Sequence, residues 1–378
     1  MREVALGYMP LVDAAPLIVA AEFGFAEEEG LHLALVRAAS WSMLRDMLDV
    51  GQVAAAQMLS VVPVARALGL GGGTEPLETP LILSLNGQVI GLSADLPDIG
   101  FGDPVATGAA LQRLGRTLRI GVPFPFSMQA ELLTYWTERA GAAAVEVRTV
   151  PPPRMAEAMQ AGEIDGFCVG EPWGSHAVDT AGARLVIPGS AIWSQAPEKV
   201  LATRAGWAEA EPELAGRLLR ALWRAGRWAG NPANRTTLAE VLSRATYLDL
   251  APDLIDRALS HRLLVTRAGP EVEVPQFQTF HDGLANFPWR SQAAWIGARL
   301  AGRFGLDRAS AMDRARAVFR SDLFRQHLAP IGVPLPRASD KLEGALGRDE
   351  TLPAVHGHLI LARNRFFDGA IFDPFPAG

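Results

Sequence analysis

Five residues at the predicted ends of strands and helices have side chains that could meet at a ligand site. They are a lysine, two glutamines, a glutamate and a tryptophan: Lys199, Gln88, Gln129, Glu171 and Trp41. A lysine supplies positive charge, a glutamine supplies N–H donors, and an indole adds a flat wall with one N–H donor. This combination is suited to binding a small planar anion in a cleft.

Each of these residues also has an ordinary explanation, which stays open at this point. Lys199 could be a solvated surface lysine, and Gln129 could face water from the first turn of a helix. Trp41 could belong to the core, because single buried tryptophans are common. Taken one at a time, the ordinary explanations are favoured.

The stretch 165–173, with the sequence DGFCVGEPW, is predicted to be a buried strand that ends in a glycine turn before a helix. Gly170 lets the backbone approach a neighbour closely, and Pro172 suits the start of a helix. Trp173 could form a wall or lie in the core. Cys168 lies in an apolar run and is predicted to be an inert buried thiol. Such strand ends are where open α/β sheets bind ligands.

The sequence lacks the motifs that would indicate an enzyme. It contains no GxSxG elbow, no HExxH pair and no P-loop, and the glycine run at 71–73 is predicted to be a flexible loop. No pair of carboxylates can be assigned as acid and base from spacing. We therefore predict that the protein is not an enzyme, and that it has neither a catalytic residue nor a cofactor.

Length and composition indicate a folded protein of two lobes. A chain of 378 residues exceeds one small core, and 49% hydrophobic with 20% charged residues suits a folded chain. The net charge of −6 argues against a surface that binds nucleic acid. No apolar run approaches the roughly 20 residues needed to span a bilayer.

Short apolar runs alternate with helical segments up to about residue 210, which predicts an α/β sheet with both faces covered. The following third is predicted to be mainly helical, and the tail from residue 334 is predicted to be loop. Three residues are predicted to cap helices at their N-termini: Asp13, Ser40 and Ser127.

Several stretches together resemble a known family. In chain order they are 6–17, 39–41, 45–46, 86–88, 135–136, 151–153, 167–173, 197–199, 286–291 and 367–369. The chain resembles the nitrate/bicarbonate-binding proteins of ABC transporters, and within them it looks most like the cytoplasmic nitrate/nitrite sensor of assimilatory nitrate reduction. The resemblance covers essentially the whole chain.

The resemblance implies a type II periplasmic-binding-protein fold, with two α/β lobes that close on a ligand in the cleft between them. We expect lobe 1 to comprise residues 1–88 and 200–378, including a helical C-terminal extension, and lobe 2 to comprise 89–199. By resemblance, the ligand-contacting positions are Trp41, Gln88 and Lys199. Groups around Leu11, Pro153, Gly170 and Glu171 would complete the cleft.

Two positions bear on the identity of the ligand. A lysine at position 199 suits nitrate or nitrite, whereas bicarbonate-binding relatives carry an acid near that position and recruit a metal, so we expect no metal here. Gln129 stands where the family usually has a histidine. Glutamine can donate to an anion oxygen but cannot become cationic.

The resemblance implies a sensor whose lobes close on nitrate or nitrite and so change its binding to a partner, an RNA-binding antiterminator protein. The alternative is the substrate-binding subunit of an ABC importer, with a membrane permease as partner. An enzyme of the thiamine-pyrimidine synthase group is a more remote alternative. No signal-peptide pattern precedes the first strand, so we expect a cytoplasmic protein, or a periplasmic one if an export signal has been removed.

Overall fold

The computed structural model describes residues 1–354 and 357–375. The strands are β1 (Arg2–Tyr8), β2 (Leu31–Arg37), β3 (Ala55–Leu59), β4 (Leu77–Asn86), β5 (Gln88–Leu92), β6 (Leu118–Val122), β7 (Val145–Thr149), β8 (Gly166–Gly170), β9 (Arg184–Pro188), β10 (Pro197–Arg204), β11 (Arg262–Leu264), β12 (Glu271–Glu273), β13 (Gln278–Thr279), β14 (Glu350–Pro353) and β15 (His358–Leu361).

The helices cover both main sheets and dominate the chain after residue 210. They are α1 (Ala15–Glu22), α2 (Phe25–Glu28), α3 (Trp41–Asp49), α4 (Val61–Ala67), α5 (Pro104–Gln112), α6 (Met128–Ala140), α7 (Met155–Gln160), α8 (Trp173–Ala181), α9 (Gly189–Ile192), α10 (Trp207–Ala210), α11 (Pro212–Ala229), α12 (Arg235–Ser243), α13 (Pro252–Leu259), α14 (Arg290–Phe304), α15 (Arg308–Val318) and α16 (Ser321–Leu328). Among the residues described, no helix combines the length and the apolar character needed to cross a membrane.

The larger sheet has six strands in the order β13-β4-β10-β3-β1-β2. Strands β1, β2 and β3 are parallel, while β10 runs antiparallel to both of its neighbours, β3 and β4. The start of β10 therefore lies at the same edge as the carboxyl ends of β1, β3 and β4. Strands β3 and β4 are buried along their whole length, as expected for a sheet covered on both faces.

The smaller sheet has five strands in the order β7-β6-β8-β5-β9. Strands β6, β7 and β8 are parallel, and β5 runs antiparallel to β8. Gln88 at the start of β5 pairs with Gly170 at the end of β8. This edge consequently carries the carboxyl ends of β6 and β8 together with the first residue of β5.

The chain passes between the sheets at two places. It leaves the larger sheet through Asn86 and Gly87 and returns through residues 189–196. Gly87 adopts a φ of +92°, and a Cβ there would lie 2.9 Å from Cδ of Gln278, so this crossing needs glycine. The predicted two-lobed α/β fold is confirmed. The predicted lobe limits at 88/89 and 199/200 stay a prediction.

The predicted helical C-terminal third is confirmed by α11 to α16, and α11 buries one face against the rest of the fold. Ser40 and Ser127 cap α3 and α6 as predicted, accepting hydrogen bonds from the backbone N–H groups of Met43 and Ala130. The prediction of a tail made only of loop is wrong, because β14 and β15 pair as an antiparallel hairpin. The alternation of apolar and polar residues in so short a hairpin was too brief to indicate strands.

Candidate functional site

Lys199 lies at the centre of a buried polar cluster where the edges of the two sheets meet. Its side chain is fully buried, and its Nζ lies 2.9 Å from Oδ2 of Asp13 and 2.5 Å from Oε1 of Glu198. The open possibility of a solvated surface lysine is therefore wrong. The sequence contains only two lysines, Lys199 and Lys341, and Lys199 is the one that lies in this cluster.

A β-bulge brings Glu198 and Lys199 to the same place. Successive residues of a regular strand point to opposite faces of the sheet. Here Pro197 pairs with Leu85 and Lys199 pairs with Ser84, so a step of two residues on β10 matches one residue on β4. Glu198 is thus the extra residue of a bulge, and the local bend lets both side chains reach one cluster.

Asp13 contributes the second carboxylate of the cluster. The sequence predicts Asp13 as a helix cap, which is wrong, because Asp13 lies inside the short 3-10 turn 12–14, whose N-cap is Leu11, and the N-cap of α1 is Ala14. Its Oδ2 faces Lys199, and its Oδ1 accepts a hydrogen bond of 2.5 Å from Nε2 of Gln57. Gln57 also accepts from the backbone N–H of Met9. Asp13 therefore binds across the sheet instead of along its own helix.

The smaller sheet supplies the opposite side of the cluster. Gln129, in the first turn of α6, donates from Nε2 to Oε1 of Glu198 over 2.5 Å. A Cβ on Gly170 would lie 3.8 Å from both Oδ2 of Asp13 and Nε2 of Gln129. Gln88 pairs with Gly170, and directly opposed residues of an antiparallel pair project from the same face. Gln88 thus leaves the sheet on the face that meets Asp13 and Gln129.

Several polar atoms in this region are buried and have no hydrogen-bond partner among the described residues. They are Nε1 of Trp41, Nε2 and Oε1 of Gln88, Oε1 of Gln129 and Oε2 of Glu198. Buried polar groups are normally paired, because leaving one unpaired costs about 1–3 kcal/mol. Nζ of Lys199 also lies 5.5 Å from the ring centre of Trp41. The unpaired donors and acceptors mark this region as a place for a polar ligand.

Burial sets the protonation behaviour of the central groups. Burial raises the pKa of Asp13 and of Glu198, while the charge of Lys199 opposes both changes. Burial by itself would lower the pKa of Lys199, but the two carboxylates raise it above its ordinary value, so this lysine is cationic. Burial and the charge of Glu198 raise the pKa of Cys168, which agrees with an inert thiol.

Glu171 and Trp173 join the two sheets through backbone groups. The N–H of Val12 donates to the carbonyl of Glu171 over 3.1 Å, and Nε1 of Trp173 donates to the carbonyl of Pro10 over 3.2 Å. The carboxylate of Glu171 turns the other way and accepts from the backbone N–H of Ser175 at the start of α8. Burial raises the pKa of Glu171 to about 7.

The structure brings together most of the predicted site, but the carboxylate of Glu171 points away from the cluster and Pro153 lies outside it. Leu11 is buried, and its Cδ2 would lie 3.1 Å from a Cβ on Gly170. Pro153 is exposed in a turn at 152–154, and no hydrogen bond or ion pair among the described residues joins it to the cluster. Sequence reasoning missed Asp13 and Gln57 as members. A glutamine in the apolar run of β3 was the one signal for Gln57.

The fold and the meeting of two polar sheet edges define a binding protein of the two-lobed, type II periplasmic-binding class. A family profile described as the NMT1-like family matches residues 1–243, and the chain belongs to that family. The solved periplasmic nitrate-binding protein NrtA from Synechocystis PCC 6803 superposes with a TM-score of 0.85 at 25% identity, covering 99% of this chain and 96% of that one.

Curated relatives agree with this assignment. The chain is 33% identical to the nitrate import ATP-binding protein NrtC of Synechococcus elongatus over 90% of its length, but spans only 52% of that relative. It is 30% identical to the nitrate/nitrite binding protein NrtA of the same organism, covering 99% of the chain and 84% of the relative. It is 27% identical to the bicarbonate-binding protein CmpA of Synechococcus elongatus, covering 99% of the chain and 84% of that relative. The predicted resemblance to nitrate/bicarbonate-binding proteins is confirmed.

Proposed function

We propose that this protein binds a small oxyanion, such as nitrate, nitrite or bicarbonate, between two lobes, and that it serves as the substrate-binding component of an importer. Lobe 1 would comprise residues 1–88 and 200–378, and lobe 2 residues 89–199. The observation that carries the proposal is the fully buried Lys199 at the junction of the two sheet edges, beside unpaired polar atoms supplied by both.

The chemistry of the cluster supports an oxyanion. A lysine ammonium, the indole N–H of Trp41 and the amide of Gln88 can all donate to oxygen. Lys199 on β10 and Trp41 on α3 lie side by side, and Gln88 is the first residue of β5 in the other sheet. Gln129 already donates to Glu198, so it would act by holding that carboxylate, while its Oε1 is buried without a partner among the described residues. Leu11, Gly170 and the backbone of Glu171 would close the cleft around the ligand.

The relatives favour the importer over the sensor that the sequence analysis puts first. The relatives described above are named for binding or importing nitrate or bicarbonate. None of these names refers to a sensor or to an RNA-binding partner. We therefore propose a membrane permease as the partner and the periplasm as the place of action, in line with the solved NrtA. Because the chain spans about half of NrtC, ATP binding is not proposed for it.

Calorimetric titration of the protein with nitrate, nitrite, bicarbonate and acetate tests the proposal. We expect saturable binding of at least one inorganic oxyanion and weaker binding of acetate. In Lys199→Ala, the affinity for that oxyanion should fall by about 1.5–3 kcal/mol, the range for hydrogen bonds to charged groups.

Lys341→Ala is the matched control. Lys341 is also largely buried and lies 2.5 Å from a buried glutamate, Glu343. Both variants should lose thermal stability, because each leaves a buried carboxylate without its partner. Only Lys199→Ala should lose ligand affinity. Equal affinity in the two variants, or the absence of binding to every oxyanion tested, would contradict the proposal.

A further inference from the structure

The buried cluster contains two acidic side chains, Asp13 and Glu198, and one basic side chain, Lys199. Asp13 and Glu198 both contact the single ammonium of Lys199, so with all three groups ionised the cluster would carry one net negative charge. A bound monoanion would add a second negative charge in a site shielded from water. Like charges in a buried site disfavour the ionised form of a carboxylate, which then takes up a proton.

One carboxylate oxygen is placed to carry that proton. Both oxygens of Asp13 already face donors, from Lys199 and Gln57. Oε1 of Glu198 accepts from both Lys199 and Gln129. Oε2 of Glu198 is buried and has no partner among the described residues. A proton on this oxygen would satisfy an unpaired atom without displacing an existing hydrogen bond.

Another buried glutamate shows what a purely structural ion pair looks like in this fold. Glu343 accepts from Oγ of Ser291 at Oε1, and from Lys341 and Asn364 at Oε2. Both of its oxygens are therefore paired, and in the described part of the chain no second carboxylate contacts its lysine, Lys341. Glu198 differs on both counts, which points to a ligand as the missing partner of its second oxygen.

We propose that Glu198 is a specificity-determining residue, which takes up one proton on Oε2 when a monoanion such as nitrate binds, keeps that proton, and donates a hydrogen bond from Oε2 to the ligand. This inference rests on the proposed function, because it assumes that an oxyanion occupies the site. Nitrate oxygens only accept hydrogen bonds, so an ionised Glu198 would repel them and a protonated one would hold them. The raised pKa of Glu198 agrees with this role.

The groups that act on Glu198 come from each element packed around it. Lys199 on β10 favours the ionised form, and Asp13 before α1 favours the protonated form. Gln129 on α6 is neutral and donates to Oε1. Cys168 on β8 is a neutral thiol because its pKa is raised. The balance between one cation and one carboxylate is thus what a bound anion would shift.

Proton uptake can be measured on the unaltered protein. Nitrate is titrated calorimetrically at about pH 6, 7 and 8, each in two buffers that differ in ionisation enthalpy. We expect the observed enthalpy to depend on the buffer in the sense of uptake, approaching one proton per bound ion. Affinity should fall as pH rises, by up to about tenfold per pH unit where uptake is complete.

The variant Glu198→Gln removes the titration and keeps a donor, since an amide N–H can replace the carboxyl O–H. It should bind nitrate with an affinity that is independent of pH, and more tightly than the unaltered protein near pH 8. Glu163→Gln, which changes an exposed glutamate, should keep the pH dependence of the unaltered protein. Circular dichroism melting confirms that each variant is folded.

The outcomes separate this inference from the proposed function. Nitrate binding with no buffer-dependent heat and no change in affinity from about pH 6 to 8 would overturn proton uptake and leave oxyanion binding intact. A pH dependence that persists unchanged in Glu198→Gln would overturn the role of this residue. If no oxyanion binds at any pH, both proposals fail.

Discussion

Trp41 is a core residue that we also propose for the binding site. Its side chain is 2% exposed, which agrees with the core explanation. Its Nε1 nevertheless has no partner among the described residues, and its ring faces the ammonium of Lys199. An indole N–H is usually paired when buried. We therefore propose that the ring fills the core while the N–H donates to a ligand.

Replacing Trp41 by Phe tests this division at the residue scale. Trp41→Phe keeps an aromatic ring beside Lys199 but removes the N–H donor. We expect oxyanion affinity to fall by about 0.5–1.5 kcal/mol, the net contribution of one hydrogen bond. Titration measures the loss, and Trp228→Phe, which changes a ring stacked on Phe23, is the control. Unchanged affinity in Trp41→Phe would leave only the core explanation.

At the scale of elements, helix α8 begins at a junction between the two sheets. The carbonyl of Glu171 accepts a hydrogen bond from Val12, and its carboxylate accepts from the N–H of Ser175. One residue therefore both ties the sheets together and caps the first turn of α8. The carboxyl is fully buried, and burial raises its pKa to about 7 although the hydrogen bonds from Ser175 oppose this.

The raised pKa of Glu171 predicts a pH dependence of stability. An unfolded glutamate has a pKa of about 4.3, so from roughly pH 4.5 to 7 the folded chain keeps a proton that the unfolded chain releases. The contribution of Glu171 to the free energy of unfolding therefore falls as pH rises, by at most about 1.4 kcal/mol per pH unit, and is constant above about pH 7.

Denaturation of Glu171→Gln by urea at several pH values measures this contribution. The variant cannot titrate at this position, so the free energy of unfolding of the unaltered protein minus that of the variant should decrease from about pH 5 to 7. Comparing the two proteins cancels the titration of all other groups. A difference that is constant or increases over this range would show that the carboxyl is ionised in the fold.

At the scale of the whole molecule, helix α6 joins the smaller sheet to the larger sheet and to the C-terminal region. At the start of α6, Nε2 of Gln129 donates to Oε1 of Glu198 on β10. Further along α6, Glu131 pairs with Arg303 of α14, and Tyr135 donates to Asp368 of the tail over 3.0 Å. Helix α6 is thus held at several points along its length.

Gly170 offers a way to disturb closure without changing a polar group. A methyl group there would lie 3.1 Å from Cδ2 of Leu11, which is closer than ordinary contact. In Gly170→Ala we expect weaker oxyanion binding and a larger radius of gyration with ligand, because the closed state is the one that binds. Small-angle X-ray scattering and titration measure these effects.

Gly302→Ala is the control for closure, since a Cβ at Gly302 in α14 would meet nothing within 4 Å. It should bind and compact like the unaltered protein. The unaltered protein itself should become more compact with saturating nitrate or with the oxyanion that it prefers. Binding without compaction would contradict a mechanism of lobe closure.

The sequence by itself determined the features that depend on local pattern. The alternation of apolar runs and helices specified an α/β fold, and Ser40 and Ser127 cap their helices because that chemistry involves residues only three apart. Motifs spread along the chain specified the family. Gln88 and Lys199 could be singled out because a polar side chain at the end of a buried strand is uncommon.

Only the tertiary structure decided which partners those residues have. Asp13 has the sequence context of a helix cap, yet it binds Lys199 and Gln57, which lie far along the chain and on neighbouring strands. Glu198 joins the cluster through a bulge that is set by the register of β10 against β4. Register and strand order arise from pairing between distant parts of the chain. The number of carboxylates around Lys199 is therefore a property of the folded chain and could not be predicted from local sequence.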